Sequence, residues 1–286
     1  MLTAKLHDGS EIEVVITGEG PNLLLPVNPY PVVGPQAAKM LKWGADPALG
    51  RSLIDALSSG KYRVIAFDYE GHVQSKPKPD TLTPANIAKD FLSIADAAQA
   101  PHFAYYGYSW LALSGLQLAL RTDRITALVM GGFPPIGGPY KEMLRVTKAT
   151  HELSQASHQH PAPSPESQSE TWDDFDWSTV EVTLTEAQTR QFVTLYKALQ
   201  PFDDRAAQIA LSCPRMCFAG AADTIDYDER WGGVRVDIAG PFLREREELE
   251  ALGWKVSVLP ELDHTGAMQA SHVLSILLPW LNSKLL

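Results

Sequence analysis

The 286-residue chain predicts an α/β fold, a mainly parallel twisted sheet with helices on both faces, and three observations carry that prediction. Short apolar runs recur along the chain, and the run at 23–27 is apolar without alternation, as a strand buried on both faces requires. Stretches with helical spacing separate these runs. Between 134 and 205 the alternation stops, and two helical stretches flank a segment rich in Ser, Gln, His and Pro.

Each element has a local reason. Asp8-Gly9 supplies the positive φ angles of a tight turn and predicts a hairpin between Lys5-Leu6 and a strand over 11–17. After 23–27, positions 34–57 carry helical spacing with a break at Gly44-Ala45-Asp46-Pro47. A strand over 62–68 follows. Thr83-Pro84 then sets a capping hydroxyl and a first-turn proline at the start of a helix running to 98. Strand 102–108, helix 110–121 and strand 125–132 complete the first half. Within the interruption, 140–153 and 185–199 read as helical and 154–176 as a mobile loop. The alternation resumes with a strand over 215–221, a loop from Asp223 to Gly240, and an amphipathic helix over 241–252 closed by Gly253. A strand over 254–259 and a helix over 269–286 end the chain.

Composition narrows the function. Thirty-four acidic against 24 basic residues leave a net charge of −10, which repels phosphate backbones and anionic headgroups, so neither nucleic acid nor a membrane surface is expected as a partner. The richest apolar stretches, 111–120 and 276–281, fall short of the roughly 18 to 20 residues that cross a bilayer. The turn signal at Asp8-Gly9 precedes any apolar signal-peptide core, so cytoplasmic residence is expected. Cys213 and Cys217 stand four positions apart in a predicted strand, roughly 13 Å at ~3.3 Å per residue, too far for a disulfide. Lacking nearby histidines, they read as buried small hydrophobes rather than zinc ligands. His158 and His160 lie in the polar loop without fixed partners and read as solvated; no metal and no organic cofactor is expected.

Gly107-Tyr108-Ser109-Trp110-Leu111 falls where a strand passes directly into a helix, a sharp turn that lifts a serine hydroxyl above the sheet. A hydroxyl needs a base and an orienting acid to become a nucleophile. Gly220-Ala221-Ala222-Asp223 and Asp263-His264-Thr265-Gly266 each follow a predicted strand and supply them in the order Ser, acid, His. Here the chain resembles the α/β-hydrolase superfamily, whose triad comes in that order from loops at one end of the sheet. The segment from Phe67 to Pro77 resembles the superfamily's Asp-x-x-Gly-His-Gly-x-Ser-x-x-Pro loop, with Val73 in place of a glycine, and Pro26-Val27 stands where His-Gly is common.

The resemblance implies a core of 1–133 and 206–286 carrying an inserted helical cap of 134–205. It makes Ser109 the nucleophile, His264 the base, and the backbone N–H groups of Trp110 and Asn28 the oxyanion donors. Asp223 occupies the family's acid position, with Asp226 the alternative; Asp263 neighbours His264, and successive side chains of an extended segment point apart. Leu111 departs from the family, which has a small residue two places after the nucleophile, so a turn with shifted packing is expected.

A serine nucleophile implies acyl transfer, hence an ester, lactone, thioester or some amides as substrate, with an ester or lactone the leading expectation. Tyr30, Trp110, Tyr140, Trp177 and Trp231 are the candidate substrate-binding aromatics, and with Trp172, Phe175 and Phe202 they favour a large, mostly apolar small molecule. Within the superfamily, the segments Asn28-Pro29-Tyr30-Pro31, Lys42-Trp43-Gly44-Ala45-Asp46-Pro47 and Tyr105 to Gly115 resemble serine-dependent macrolide esterases, which open the macrolactone ring of an antibiotic and so confer resistance. Ser109-Trp110 also resembles the elbow of proline iminopeptidases, with Asp173, Asp174 and Asp176 to hold a substrate amine. A third reading is a small-molecule receptor that keeps the triad without turnover.

Overall fold

The computed structural model describes residues 1–42, 44–159 and 183–286, with 157–159 by their backbone alone. Its first two strands, β1 (Leu2–Lys5) and β2 (Glu11–Thr17), pair antiparallel around the expected turn, where Gly9 takes φ +83° and donates to the Leu6 carbonyl at 2.9 Å. In chain order there follow β3 (Asn22–Leu25), β4 (Arg63–Ala66), β5 (Phe103–Tyr108), β6 (Ile125–Gly131), β7 (Arg215–Gly220), β8 (Thr224–Tyr227), β9 (Val234–Asp237) and β10 (Trp254–Leu259). Eight of these form one sheet in the order β1-β2-β4-β3-β5-β6-β7-β10. From β4 to β10 every neighbouring pair is parallel, and β2 joins β4 antiparallel.

The helices are α1 (Pro35–Lys42), α2 (Leu49–Ser59), α3 (Tyr69–Ser75), α4 (Pro84–Ala97), α5 (Trp110–Ala119), α6 (Tyr140–Gln159), α7 (Glu186–Ala198), α8 (Asp204–Ala207), α9 (Ala239–Arg244), α10 (Arg246–Ala251), α11 (His264–Ala267) and α12 (Ala270–Leu285). Successive strand residues face opposite ways, so each strand feeds two cores. Leu24, Ile65, Tyr105 and Leu128 pack in the same core as Phe91 of α4 and Leu116 of α5. Leu23, Val64, Ala104 and Val129 pack in the other, with Leu53 of α2 and Leu277 of α12. Among the described residues, no helix is long and apolar enough to cross a membrane.

Several elements depart from the sequence expectation. Asp68 accepts from the Gly71 N–H at 2.8 Å and caps α3, so the segment expected as a loop holds two helical turns. The link after Asp223 is an antiparallel β8–β9 hairpin, with Thr224 opposite Asp237. The helix expected over 241–252 is two, α9 and α10, meeting at Glu245. Helix α6 continues to Gln159, six residues into the segment expected as a loop; 160–176 lie outside the described residues. Cys217 is buried and Cys213 half-buried, both free, and burial pushes both thiols up.

The end of α3 and the segment leading to α4 are fastened from two sides. Helix α7, opened by a Thr185–Gln188 capping box, bonds its backbone: Gln188 Nε2 donates to the Gln74 carbonyl at 2.7 Å, Gln191 Nε2 to Val73 at 3.0 Å and Thr194 Oγ1 to Pro79 at 2.6 Å. From the core side, the wholly buried Lys78 ammonium pairs with the Asp8 carboxylate of the first turn. Burial pushes the Asp8 carboxyl up, but the Lys78 and Ser10 hydrogen bonds outweigh it and hold Asp8 well below its ordinary 3.8.

Lys78 is the buried member of this pair, and removing its partner strands its charge. Asp8→Ala is therefore expected to cost about 2–3 kcal/mol in urea unfolding at neutral pH, while Lys78→Met, which removes the buried charge itself, costs less. Because the folded Asp8 pKa is depressed, its contribution is full above 3.8 and is lost as the pH falls and Asp8 protonates in the folded state. Equal unfolding midpoints for the two variants at neutral pH contradict this assignment.

Candidate active site

Ser109 ends β5 and opens α5 with φ +56° and ψ −130°, a left-handed conformation that costs a non-glycine residue about 1–3 kcal/mol. Neighbours hold it there. Its N–H donates to the Gly131 carbonyl of β6 at 2.8 Å, and its carbonyl accepts from Ala112 at 2.9 Å. A Cβ on Gly107 would lie 2.6 Å from the Leu111 carbonyl oxygen, so the crossing depends on that glycine. The same carbonyl accepts the Tyr105 hydroxyl at 2.7 Å. It is thus the Leu111 backbone that meets Gly107, and the Leu111 side chain turns into the core.

His264 starts α11, and its Nδ1 stands 2.8 Å from Asp223 Oδ2. Asp223 is fully buried just beyond β7, and its carbonyl accepts from Ile238 and Ala239 at 3.0 and 2.9 Å, where the chain leaves the β8–β9 hairpin. The loops carrying Asp223 and His264 lie against each other because Gly220 has no side chain: a Cβ there would be 2.0 Å from the Leu262 carbonyl. Tyr108 steadies His264, its hydroxyl donating to the His264 carbonyl at 2.8 Å and its ring 5.1 Å from the imidazole.

The other acids are occupied elsewhere. Asp226 sits exposed on β8, 3.6 Å from Arg235; Asp228 accepts from the Trp231 N–H; Asp263 caps α11 through the Gly266 N–H at 2.6 Å.

Ser109 and His264 line one cavity of about 580 Å³ with Asn28, Trp110 and Tyr30. Among the described residues the Ser109 hydroxyl makes no hydrogen bond; such bonds are commonly long before substrate arrives. The N–H groups of Trp110 and Asn28 likewise find no acceptor there, leaving two donors at the cavity wall. Asn28 is set by its own turn, Oδ1 accepting from Tyr30 at 3.0 Å.

Tyr140 and Trp231 do not line this cavity. Tyr140 packs between Phe133 and Phe202 at ring separations of 5.8 and 5.9 Å, and Trp231 is buried in the β8–β9 connection, which packs against α6. Trp177, Trp172, Phe175 and the acids Asp173, Asp174 and Asp176 lie outside the described residues. Val32 and Met40, from the segment between β3 and α2, and Leu49 at the start of α2 line the cavity on the apolar side.

Two cavity residues escaped the sequence reading. Asp68 and Glu70 both face the space before Ser109. Burial and the neighbouring Asp68 charge raise the Glu70 carboxyl above its ordinary range, and the indole of Trp110 partly offsets this. The available signal was the Asp-x-x-Gly cap, which starts a helix at that point and turns the intervening acid toward the site. Among the described residues no three His, Cys, Asp or Glu side chains gather as metal ligands.

Comparison with known proteins agrees with this architecture. Residues 43–162 match the family model described as alpha/beta hydrolase fold. A protein of Klebsiella pneumoniae (strain 342), named as a candidate carbamate hydrolase RutD, is 35% identical over 77 residues, 26% of this chain and 29% of its own length. This chain therefore matches under a third of that relative. The enol-lactonase of Burkholderia xenovorans LB400 superposes with a TM-score of 0.58 at 17% identity, over 98% of this chain and 99% of its own. A carboxylesterase structure from Nitrososphaera gargenis superposes with a TM-score of 0.63 at 16% identity, over 99% and 98%. By its sheet order, its helices and these matches, the chain has the α/β-hydrolase fold.

Proposed function

We propose that the chain is a serine hydrolase that cleaves a carboxylic ester or lactone through an acyl-enzyme. The observation that carries this reading is the 2.8 Å contact of His264 Nδ1 with Asp223 Oδ2, on a cavity that His264 shares with Ser109. His264 Nε2 takes the Ser109 proton as Oγ attacks the carbonyl carbon, and Asp223 stabilises the imidazolium. The oxyanion meets the N–H groups of Trp110 and Asn28, each such donor lowering the barrier by about 3 kcal/mol. Collapse breaks the acyl–oxygen bond, and the leaving alcohol takes the proton from His264. Water, deprotonated by the same imidazole, then attacks the acyl carbon and frees Ser109 with the acid.

The finer reading is ring opening of a macrolactone. The resemblance of the segments around Asn28, Gly44 and Ser109 to macrolide esterases supports it. So does a cavity of about 580 Å³, within the range that holds drug-sized ligands.

A fluorophosphonate is expected to label Ser109 once per chain, read as the mass of the peptide that carries it, and p-nitrophenyl esters are expected to turn over. Tylosin is expected to gain the mass of one water. Labelling at another residue, or no ester turnover, overturns the hydrolase reading; stoichiometric acylation without turnover assigns a receptor instead. Unchanged tylosin beside hydrolysed esters removes the macrolactone and leaves the hydrolase.

A further inference from the structure

We propose that α1 is the substrate-facing roof of the cavity and that its Met40 selects esters or lactones by their apolar chain. This rests on the hydrolase reading above and deepens it with a substrate class. The stretch from Pro26 to Leu53 supplies more than half of the cavity's lining residues, whereas no described residue of the 134–205 insertion lines it. Gln36 and Met40, four positions apart and so on one face of α1, both belong to that lining.

Among the described residues the two cores give that face nothing to pack on. Helix α1 is eight residues long, too short to persist alone in water, and it buries no side chain in either core. Backbone bonds hold its ends instead. The Val32 N–H donates to the Pro47 carbonyl at 2.9 Å, and the Ala45 N–H to the Met40 carbonyl at 2.9 Å. Gln269 Nε2 donates to the Gly44 carbonyl at 3.1 Å and to the Thr265 carbonyl at 2.7 Å, which ties the roof to α11 and so to His264. Met40 itself is half-buried, and Val32 and Leu49 line the cavity with it. Its unbranched thioether chain adapts to an apolar neighbour. An alkyl chain entering the cavity gives Met40 the packing partner that the core does not, and a short or polar substrate leaves it without one.

Two pairs of esters test the roof: p-nitrophenyl octanoate against p-nitrophenyl acetate for the acyl side, and octyl acetate against ethyl acetate for the alcohol side. In at least one pair the wild type is expected to favour the longer ester in kcat/KM by about tenfold or more. Met40→Gln, which keeps the length of the side chain but sets an amide against the alkyl chain, is expected to cut that ratio by about tenfold. Met40→Leu, which keeps the apolar surface, is expected to hold it within about threefold. Using the ratio within each protein cancels any loss common to both esters. Turnover without preference in either pair, a preference that Met40→Gln leaves intact, or equal losses in the two variants overturns the roof and leaves the hydrolase standing. If the wild type turns over none of these esters, the hydrolase reading fails and calorimetric titration with octyl acetate decides the roof. Saturable binding weakened about tenfold by Met40→Gln and kept by Met40→Leu supports it; any other pattern, or no binding, overturns it.

Discussion

Ser109→Ala is expected to lower kcat/KM for a simple carboxylic ester by about four to six orders of magnitude, because the triad acts as a unit and loses its function with the nucleophile. Stability separates this loss from damage to the fold. Alanine keeps the Cβ, so the strained turn at φ +56° persists and unfolding should shift by no more than about 0.5 kcal/mol. Ser109→Gly should be equally inactive yet more stable, by about 1 kcal/mol, since glycine adopts that conformation without the steric cost. Esterase activity within tenfold of wild type in either variant would place the nucleophile elsewhere.

What the sequence made legible was what short-range chemistry determines. The capping hydroxyl of Thr83, the Asp8-Gly9 turn and the strand-to-helix passage at Ser109 each declare themselves within a few residues, and the structure has helices or turns at all three. Pairing between distant segments was harder to see. The β8–β9 hairpin lacks a two-residue Asn-Gly or Asp-Gly turn and closes through Asp228 and two positive-φ glycines, Gly232 and Gly233, so its strands read as a loop.

That hairpin also separates the two candidate carboxylates, setting Asp226 opposite Arg235 in its register and leaving Asp223 at its base. Spacing alone had left both open. The aromatic residues show the same limit from the other side. Tyr140 and Trp231 have the composition of a binding wall but spend their surface on packing, whereas Met40 and Val32 reach the cavity only because of where the segment after β3 folds. Glu70 was hidden in a motif whose neighbours drew the reading, and only its place on the cavity wall marks it out.

Asp223→Asn should lower kcat by about four orders of magnitude with little change in KM, because the substrate touches Ser109 and the donors rather than the acid. The physical reason is the tautomer. Asp223 Oδ2, 2.8 Å from Nδ1, requires the His264 proton on that nitrogen and leaves Nε2 free to accept from Ser109. An asparagine amide in its place can donate to Nδ1, which moves the proton to Nε2 and removes the base. The fold should survive: asparagine matches the shape of Asp223, and the backbone bonds from Ile238 and Ala239 to the residue 223 carbonyl are untouched. The replacement also removes a buried charge whose second oxygen, Oδ1, has no hydrogen-bond partner, so unfolding is expected to shift little or toward stability. Asp226→Asn, altering an exposed side chain on β8, is expected to leave kcat within about twofold. Measured side by side, a severe loss in Asp226→Asn with activity kept in Asp223→Asn would reverse the assignment. A severe loss in both would mean that the β8–β9 hairpin, through its hold on the Asp223 backbone, governs the site more than either carboxylate does.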